Sequence, residues 1–140
     1  ENMAEVFESD LSQEGLSADE IHKRITRSKE RITNSPVVVV LCMDETDLDK
    51  YPDNRRQATE SIMGIQSTAM AGLQLLLAAH AEGLGAVWTC GPLFAPEAVR
   101  TTLALPESWQ PLGMILIGHP AESPTIKNSK KLAQLVKYID

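Results

Sequence analysis

Two kinds of apolar pattern follow one another along the chain, and together they predict four helices and three strands. Apolar residues at helical spacing predict helices over 3–11, 17 to about 32, 56–82 and 95–103. Continuous β-branched or aliphatic runs predict strands over 36–43, 86–89 and 112–118, the first and last of them buried. The order α, α, β, α, β, α, β predicts a single domain over residues 1–140, of the α+β or α/β class, with a polar tail that contains a helix-prone segment over 131–136.

The long predicted helix is apolar on more than one side. One stripe contains Ile62, Ile65, Ala69, Leu73, Leu76 and His80, and we expect Met63, Met70 and Leu77 to make the opposite side apolar as well. A helix that is apolar all round is normally buried, so we expect this one to be the central helix of the domain. Because three strands are a small core for such a helix, we also expect two chains to associate through it as a homodimer.

Composition and charge narrow the function classes. The net charge of −6 and the aromatic content of 4% argue against a nucleic-acid partner, since there is neither a basic field nor a stacking platform. Any anionic ligand must therefore be held by a local group of Lys, Arg and backbone N–H donors.

Cys42 and Cys90 have no CxxC or Cys/His spacing, so we expect reduced thiols, no disulfide and no metal site. The acidic first residues do not resemble a signal peptide, and the apolar stretch 70–81 is too short to span a bilayer. These features predict a soluble cytoplasmic protein without a membrane partner.

The stretch GLGAVWTCGPLF, residues 83–94, joins the long helix to the middle strand. Gly83 suits the first position after a helix end, and Cys90, Gly91 and Pro92 predict a sharp turn. The residues alone leave two interpretations open, a helix stop with a strand and a turn, or the floor of a binding site.

Several motifs carry a resemblance to a known family. LLLAAHAEGLGAVWTCGPLFAPEAVRTTLALPESWQPLGMILIGHPAE, residues 75–122, resembles the C-terminal half of the nitroreductases, which are FMN-dependent oxidoreductases. FESDLSQEGLS (7–17) and YPDNRR (51–56) are also similar to the C-terminal reductase domain of the bifunctional enzyme that builds the deazaflavin coenzyme F-420. Family members begin with a basic Arg-Arg-Ser segment and a Pro-rich loop that this chain does not contain, so it is expected to be N-terminally truncated relative to the family.

The resemblance implies a nitroreductase-like α+β fold, with an antiparallel-rich sheet around a central buried helix. It also implies FMN as cofactor, NAD(P)H as electron donor and a homodimer with the flavin between subunits. The small-molecule electron acceptor could be a nitroaromatic, a quinone or a deazaflavin precursor. The alternative hypothesis is a truncated, flavin-free dimeric module without turnover.

The resemblance further implies cofactor-binding residues. The turn Thr89, Cys90 and Gly91 would pass along the flavin, where small residues let the backbone approach a flat ring. Relatives often have Gly at the position of Cys90. Lys127, with Lys130 as a neighbouring alternative, would contact the FMN phosphate as a point charge; a solvated tail lysine is the competing interpretation.

Three further residues are implied as substrate contacts. Arg55 and Arg56 precede the long helix and would add to the positive potential of its N-terminus toward an anionic substrate. Asp10 matches a residue near the substrate in the deazaflavin-related branch. The competing interpretations are a solvated loop pair and a surface carboxylate. No catalytic side chain is identified, which agrees with chemistry carried by a cofactor.

Overall fold

The computed structural model describes residues 2–122, 135–137 and 139. Within them, every predicted helix and strand is confirmed to within three residues at either end, and the four-residue helix α4 was not predicted. The predicted helical segment over 131–136 lies mostly outside the described residues. In chain order the elements are α1 Met3–Gln13, α2 Ala18–Thr33, β1 Val37–Asp44, a 3-10 turn Glu45–Asp47, α3 Asn54–Ala81, β2 Gly85–Thr89, α4 Gly91–Phe94, α5 Pro96–Thr102 and β3 Trp109–Gly118.

The helix ends follow local chemistry in the sequence. α2 begins at a capping box in which the Ser17 hydroxyl accepts from the Glu20 N–H and the Glu20 carboxylate accepts from the Ser17 N–H. The Ser17 hydroxyl also donates to Glu20 Oε2 at 2.7 Å, and this bond, together with the one from the Ser17 N–H, holds the pKa of Glu20 below its ordinary value. α3 ends at Ala81 with Glu82 as its C-cap, and Gly83 follows with a φ of 74°, the left-handed conformation expected for the residue after the cap.

The three strands form one antiparallel sheet in the order β1-β3-β2. β3 is the central strand and the most buried one, with Ile115 fully inaccessible. β1 is an edge strand, and a register shift falls between Leu41 and Cys42. The prediction that β1 is covered on both faces is wrong for its first residues, since Val37 and Val38 are exposed. No strand among the described residues pairs with the outer edge of β1. On one face of the sheet, α1, α2 and α5 also leave a gap above this strand.

Helices cover both faces of the sheet. α3 lies against one face, where Gly64 approaches Met43 and Gly72 approaches Leu41. α1, α2 and α5 lie on the other face, above Val38, Val40 and Met114. Alternation along the strands explains this division, since residues two apart point to the same side.

α3 places small residues toward the sheet and large ones away from it. Gly72 and Ala79 are its only buried residues. Six large apolar side chains are 40–60% exposed on the far side: Ile62, Met63, Ile65, Met70, Leu73 and Leu77. At 100° per residue all six fall within about 160° of arc, so the two predicted stripes are neighbours rather than opposite sides. α3 is central in the chain and in the fold, but the prediction that it is buried is wrong for a single chain. We call these six residues the outward face of α3.

α3 is also long and apolar enough, by length and composition alone, to cross a membrane. Its most apolar window has a mean hydropathy of 1.4, and 11% of that window is buried. No other helix among the described residues meets this criterion. The apolar segment is longer than the stretch 70–81, so the prediction that it is too short to span a bilayer is wrong by length and composition. The core helices of soluble proteins can reach the same length and hydropathy.

Candidate cofactor site

Trp88 occupies a slot between α3 and β3 at the end of β2. Its ring lies against the bare backbone of two glycines, Gly72 of α3 and Gly113 of β3. A Cβ at Gly113 would lie 2.7 Å from Cζ2 of the ring, and one at Gly72 would overlap both the ring and Leu41. The slot exists because both positions lack a side chain.

The turn after β2 is tied to Trp88 through a sulfur contact. The Trp88 Nε1–H donates to Cys90 Sγ over 3.2 Å. Cys90 precedes α4 but its side chain does not cap that helix, while its carbonyl accepts from the Leu93 N–H at 3.0 Å. Thr89 is half-buried and Cys90 is exposed. The predicted turn is therefore present, and its exposed member is held by a neighbouring indole.

The packing of α1 gives a reason for a glycine at position 91 that the sequence did not reveal. A Cβ at Gly91 would lie 3.3 Å from Met3 Sδ and 3.7 Å from Phe7 Cζ, both in α1. Its φ is not positive; among the described residues the positive-φ glycines are Gly15 and Gly83. The absence of a side chain at Gly91 therefore lets α1 pack against the turn, whatever else the turn contacts.

Asp10 lies on the exposed side of α1, one helical turn beyond Phe7. It lines a pocket of about 290 Å³ together with Phe7, Glu14, Arg24 and others from α1, α2 and α4. Because Phe7 also lies next to Gly91, with its Cζ 3.7 Å from the place of a Cβ there, the structure brings Asp10 and the turn to the same side of the sheet.

Arg55 and Arg56 differ in their surroundings although they are neighbours. The Arg56 Nε–H donates to Asp53 Oδ2 at 2.5 Å, and its guanidinium stacks 5.1 Å above the centre of the Tyr51 ring. Hydrogen bonds from Arg56 keep the pKa of Asp53 below its ordinary value. Arg55 is exposed and makes no ion pair within the part of the chain that the structure describes.

The predicted site residues do not all meet within one chain. Arg56 lies sixteen residues, or about 24 Å of helix, from the level of Gly72 and Trp88. Lys127 and Lys130 fall outside the described residues. One chain thus brings together the turn and the helix that carries Asp10, but not the arginines.

Sequence reasoning missed a large pocket between the helices and the sheet. It has a volume of about 540 Å³, is mainly apolar, and lies between α1, α2, α5 and the sheet, lined by residues such as Phe7, Ile25, Val40, Val99 and Met114. A smaller one of about 330 Å³ lies near Arg31 and His119. Thr89, Cys90 and Gly91 line neither these two pockets nor the one beside Asp10. Among the described residues Thr89 and Gly91 are half-buried, and Cys90 is the exposed member of the turn. A pocket lined by several separate elements leaves no local signal in the sequence.

No three His, Cys, Asp or Glu side chains come close enough to hold a metal ion within the described ranges. The half-buried Cys42 lies away from the turn, and burial raises the pKa of its thiol. The polar groups at the turn are therefore its backbone, the Thr89 hydroxyl, the Cys90 thiol and the Trp88 indole.

Comparison with known proteins decides the family. The sequence model of the nitroreductase family matches residues 1–119. The chain belongs to the nitroreductase family. This confirms the resemblance and the α+β fold with a small antiparallel sheet and a long central helix. The closer likeness to the F-420 reductase domain stays a prediction.

Curated nitroreductase relatives share about a third of the aligned residues. A Methanothermobacter thermautotrophicus protein, whose name assigns it provisionally to the NADH dehydrogenases/NAD(P)H nitroreductases, is 36% identical over 95 residues, which cover 66% of this chain and 44% of that protein. The oxygen-insensitive NADPH nitroreductase of Salmonella typhimurium is 31% identical over 105 residues, covering 74% of this chain and 44% of the relative. The matched part of the chain thus spans less than half the length of these relatives.

Solved nitroreductase structures share the fold. A nitroreductase-like protein of Bacillus cereus superimposes with a TM-score of 0.64 at 19% identity, over 98% of this chain and 66% of that one. The NADPH:FMN oxidoreductase of Vibrio harveyi, solved with NAD+, gives a TM-score of 0.59 at 24% identity, over 74% of this chain and 46% of that one.

Proposed function

We propose that this nitroreductase-family chain functions as an FMN-dependent NAD(P)H oxidoreductase. The observation that carries the proposal is the family match over residues 1–119, which includes β2 and its turn. An NADPH nitroreductase among the relatives and an NADPH:FMN oxidoreductase among the structural neighbours support flavin and nicotinamide use. The acceptor would be a small molecule such as a nitroaromatic, a quinone or a deazaflavin precursor.

The residues at the turn fit one wall of a flavin site. Cys90 is exposed, and Cys90 and Gly91 have a small side chain or none. A flat ring could therefore approach the backbone of residues 89–91. Because Cys90 is exposed to solvent, a second surface would complete the site on that side. Bound FMN would supply the hydride chemistry, while the protein binds and orients it. The role of the turn would be to hold one edge of the ring and exclude water from it.

The second surface would come from a second copy of the chain. Six large apolar side chains on one helix form a patch of the kind that monomeric soluble proteins avoid. A two-fold dimer through the outward face of α3 would cover all six in each copy. This proposal also accounts for the small residues on the side of α3 that faces the sheet. α3 packs closely against the sheet there, and its large side chains would contact the partner.

The remaining roles follow from the family resemblance and from the contacts seen here. Lys127, with Lys130 beside it, would bind the FMN phosphate, and Asp10 would face the substrate near α1. Arg55 and Arg56, distant from the turn of their own chain, would reach an anionic substrate at the partner's site. We place the protein in the cytoplasm, without nucleic-acid or membrane partners.

The deciding experiment is reconstitution. The purified chain is incubated with FMN, desalted and scanned for flavin absorption, and NADH or NADPH oxidation is then followed with nitrofurazone or menadione as acceptor. Near-stoichiometric flavin with acceptor-dependent turnover supports the proposal. A folded dimer that retains no FMN and oxidises neither nicotinamide refutes it and favours the alternative, a flavin-free module.

A further inference from the structure

Trp88 connects three parts of the molecule that are distant in sequence. Its ring touches Gly72 in the middle of α3 and Gly113 in β3, and its Nε1–H reaches Cys90. Added atoms at either glycine would collide with the ring, so the ring has little freedom to move. The donor is therefore presented to Cys90 Sγ in a fixed direction.

Cys90 depends on this contact for its orientation. It is exposed, and its side chain does not cap the short helix that follows. The Trp88 indole is the hydrogen-bond partner that the structure gives its sulfur. An exposed side chain at the end of a strand would otherwise sample several rotamers.

We propose that Trp88 is a positioning residue for the cofactor turn. Held between α3 and β3, it fixes the Cys90 side chain through the Nε1–H···Sγ hydrogen bond and so sets the surface that the turn presents. The proposal rests on the proposed function for the identity of the ligand. It adds a residue that does not itself contact the cofactor and that links the position of α3 to the turn.

A double-mutant cycle separates positioning from simple space filling. Trp88→Phe keeps an aromatic ring but removes the donor, and Cys90→Ala removes the acceptor. Each change should weaken FMN binding about three- to tenfold, the effect of one neutral hydrogen bond, and the double variant should be no weaker than either single one. Cys90→Ser, which keeps an acceptor, should bind FMN nearly as the wild type does.

Trp109 provides a matched control. It also donates its Nε1–H, at 3.0 Å, but the acceptor is Asp44 Oδ2 of β1 and not a residue of the turn. Trp109→Phe should leave FMN affinity unchanged. If the effects of Trp88→Phe and Cys90→Ala on FMN affinity simply add, or if Trp109→Phe weakens binding as much as Trp88→Phe does, the positioning role is wrong.

The indole signals in a ¹⁵N–¹H spectrum of the flavin-free protein supply a second measurement. The chain has two Trp residues, so two signals are expected, and each Phe variant assigns one of them. Cys90→Ala should shift the Trp88 signal and speed its exchange with water, while Asp44→Asn should affect only the Trp109 signal. An unchanged Trp88 signal in Cys90→Ala overturns the inference. A wild type that binds no FMN refutes the proposed function instead, and the indole signals still decide whether Trp88 holds the turn.

Discussion

Replacing Leu73 tests whether the outward face of α3 is a dimer interface. Leu73 lies near the middle of that face and is 54% exposed in the single chain. Complete burial of a leucine contributes roughly 1.5–3 kcal/mol, so covering the exposed half contributes about 0.8–1.6 kcal/mol. A symmetric dimer contains two copies, which gives about 1.6–3.2 kcal/mol in all. Leu73→Gln should therefore raise the dimer dissociation constant about 15- to 200-fold.

Sedimentation equilibrium over a range of protein concentrations measures this constant. The matched control is Leu103→Gln, since Leu103 is also half exposed but caps the C-terminal end of α5, across the sheet from α3. That variant should dimerise as the wild type does. A wild-type chain that stays monomeric at micromolar concentration refutes the interface, as does an equal effect of the two substitutions. Co-flotation of the wild type with phospholipid vesicles would show that a bilayer, not a second copy, covers α3.

Three further predictions each concern a single residue. Gly113→Ala should lower the free energy of unfolding in urea by about 1–3 kcal/mol because its methyl group meets the Trp88 ring, whereas Gly85→Ala, whose Cβ would find ordinary contacts at 3.4 Å, should change it little; equal losses would argue against the slot. Lys127→Ala should weaken FMN roughly ten- to a hundredfold but riboflavin hardly at all, and equal weakening of both would remove the phosphate role from this lysine. Asp53 has a lowered pKa in the folded chain, so it stabilises the fold above its ordinary pKa and loses this effect as the pH falls; the stability difference between wild type and Asp53→Ala should shrink from pH 7 to pH 3, and a constant difference would contradict the assignment.

The elements of the fold could be predicted because each is encoded locally. The capping box at Ser17 and Glu20 marks the start of α2, and Gly83 marks the end of α3. The aliphatic run of β3 predicts a buried strand, and that strand is central in the sheet. α4 was missed because it begins at Gly91, within the predicted Cys-Gly-Pro turn, and its four residues are too few to show a helical period.

The orientation of α3 could not be predicted because periodicity shows where apolar residues lie, not what lies against them. A helix with large residues on one side is expected to turn that side to its own core. Here Gly64 and Gly72 face the sheet, since Met43, Leu41 and Trp88 supply the bulk from the opposite side. The interlocking of large residues with glycines on another element is a tertiary property, and no single stretch of the sequence contains it.

The candidate site was predictable only in part for the same reason. The turn at Thr89, Cys90 and Gly91 could be located from the sequence, but Trp88 was noted only as part of a motif. Its partners Gly72 and Gly113 are 16 residues before it and 25 after it in the chain, so no local pattern joins them. The resemblance to the nitroreductases supplied the roles, and the structure supplied the contacts around the turn.

The open turn and the outward face of α3 are connected through one side chain. A second copy packed on the outward face of α3 would push on this helix. Gly72 lies on the opposite side of the helix, directly against the Trp88 ring. The ring in turn donates to Cys90 at the turn. Because tightly packed interiors transmit small displacements rather than absorb them, the association state of α3 should influence the shape of the turn even where the partner does not touch it. In the proposed dimer, the incomplete wall and the uncovered helix would be two aspects of one arrangement, in which a second copy would both close the site and hold its floor in place.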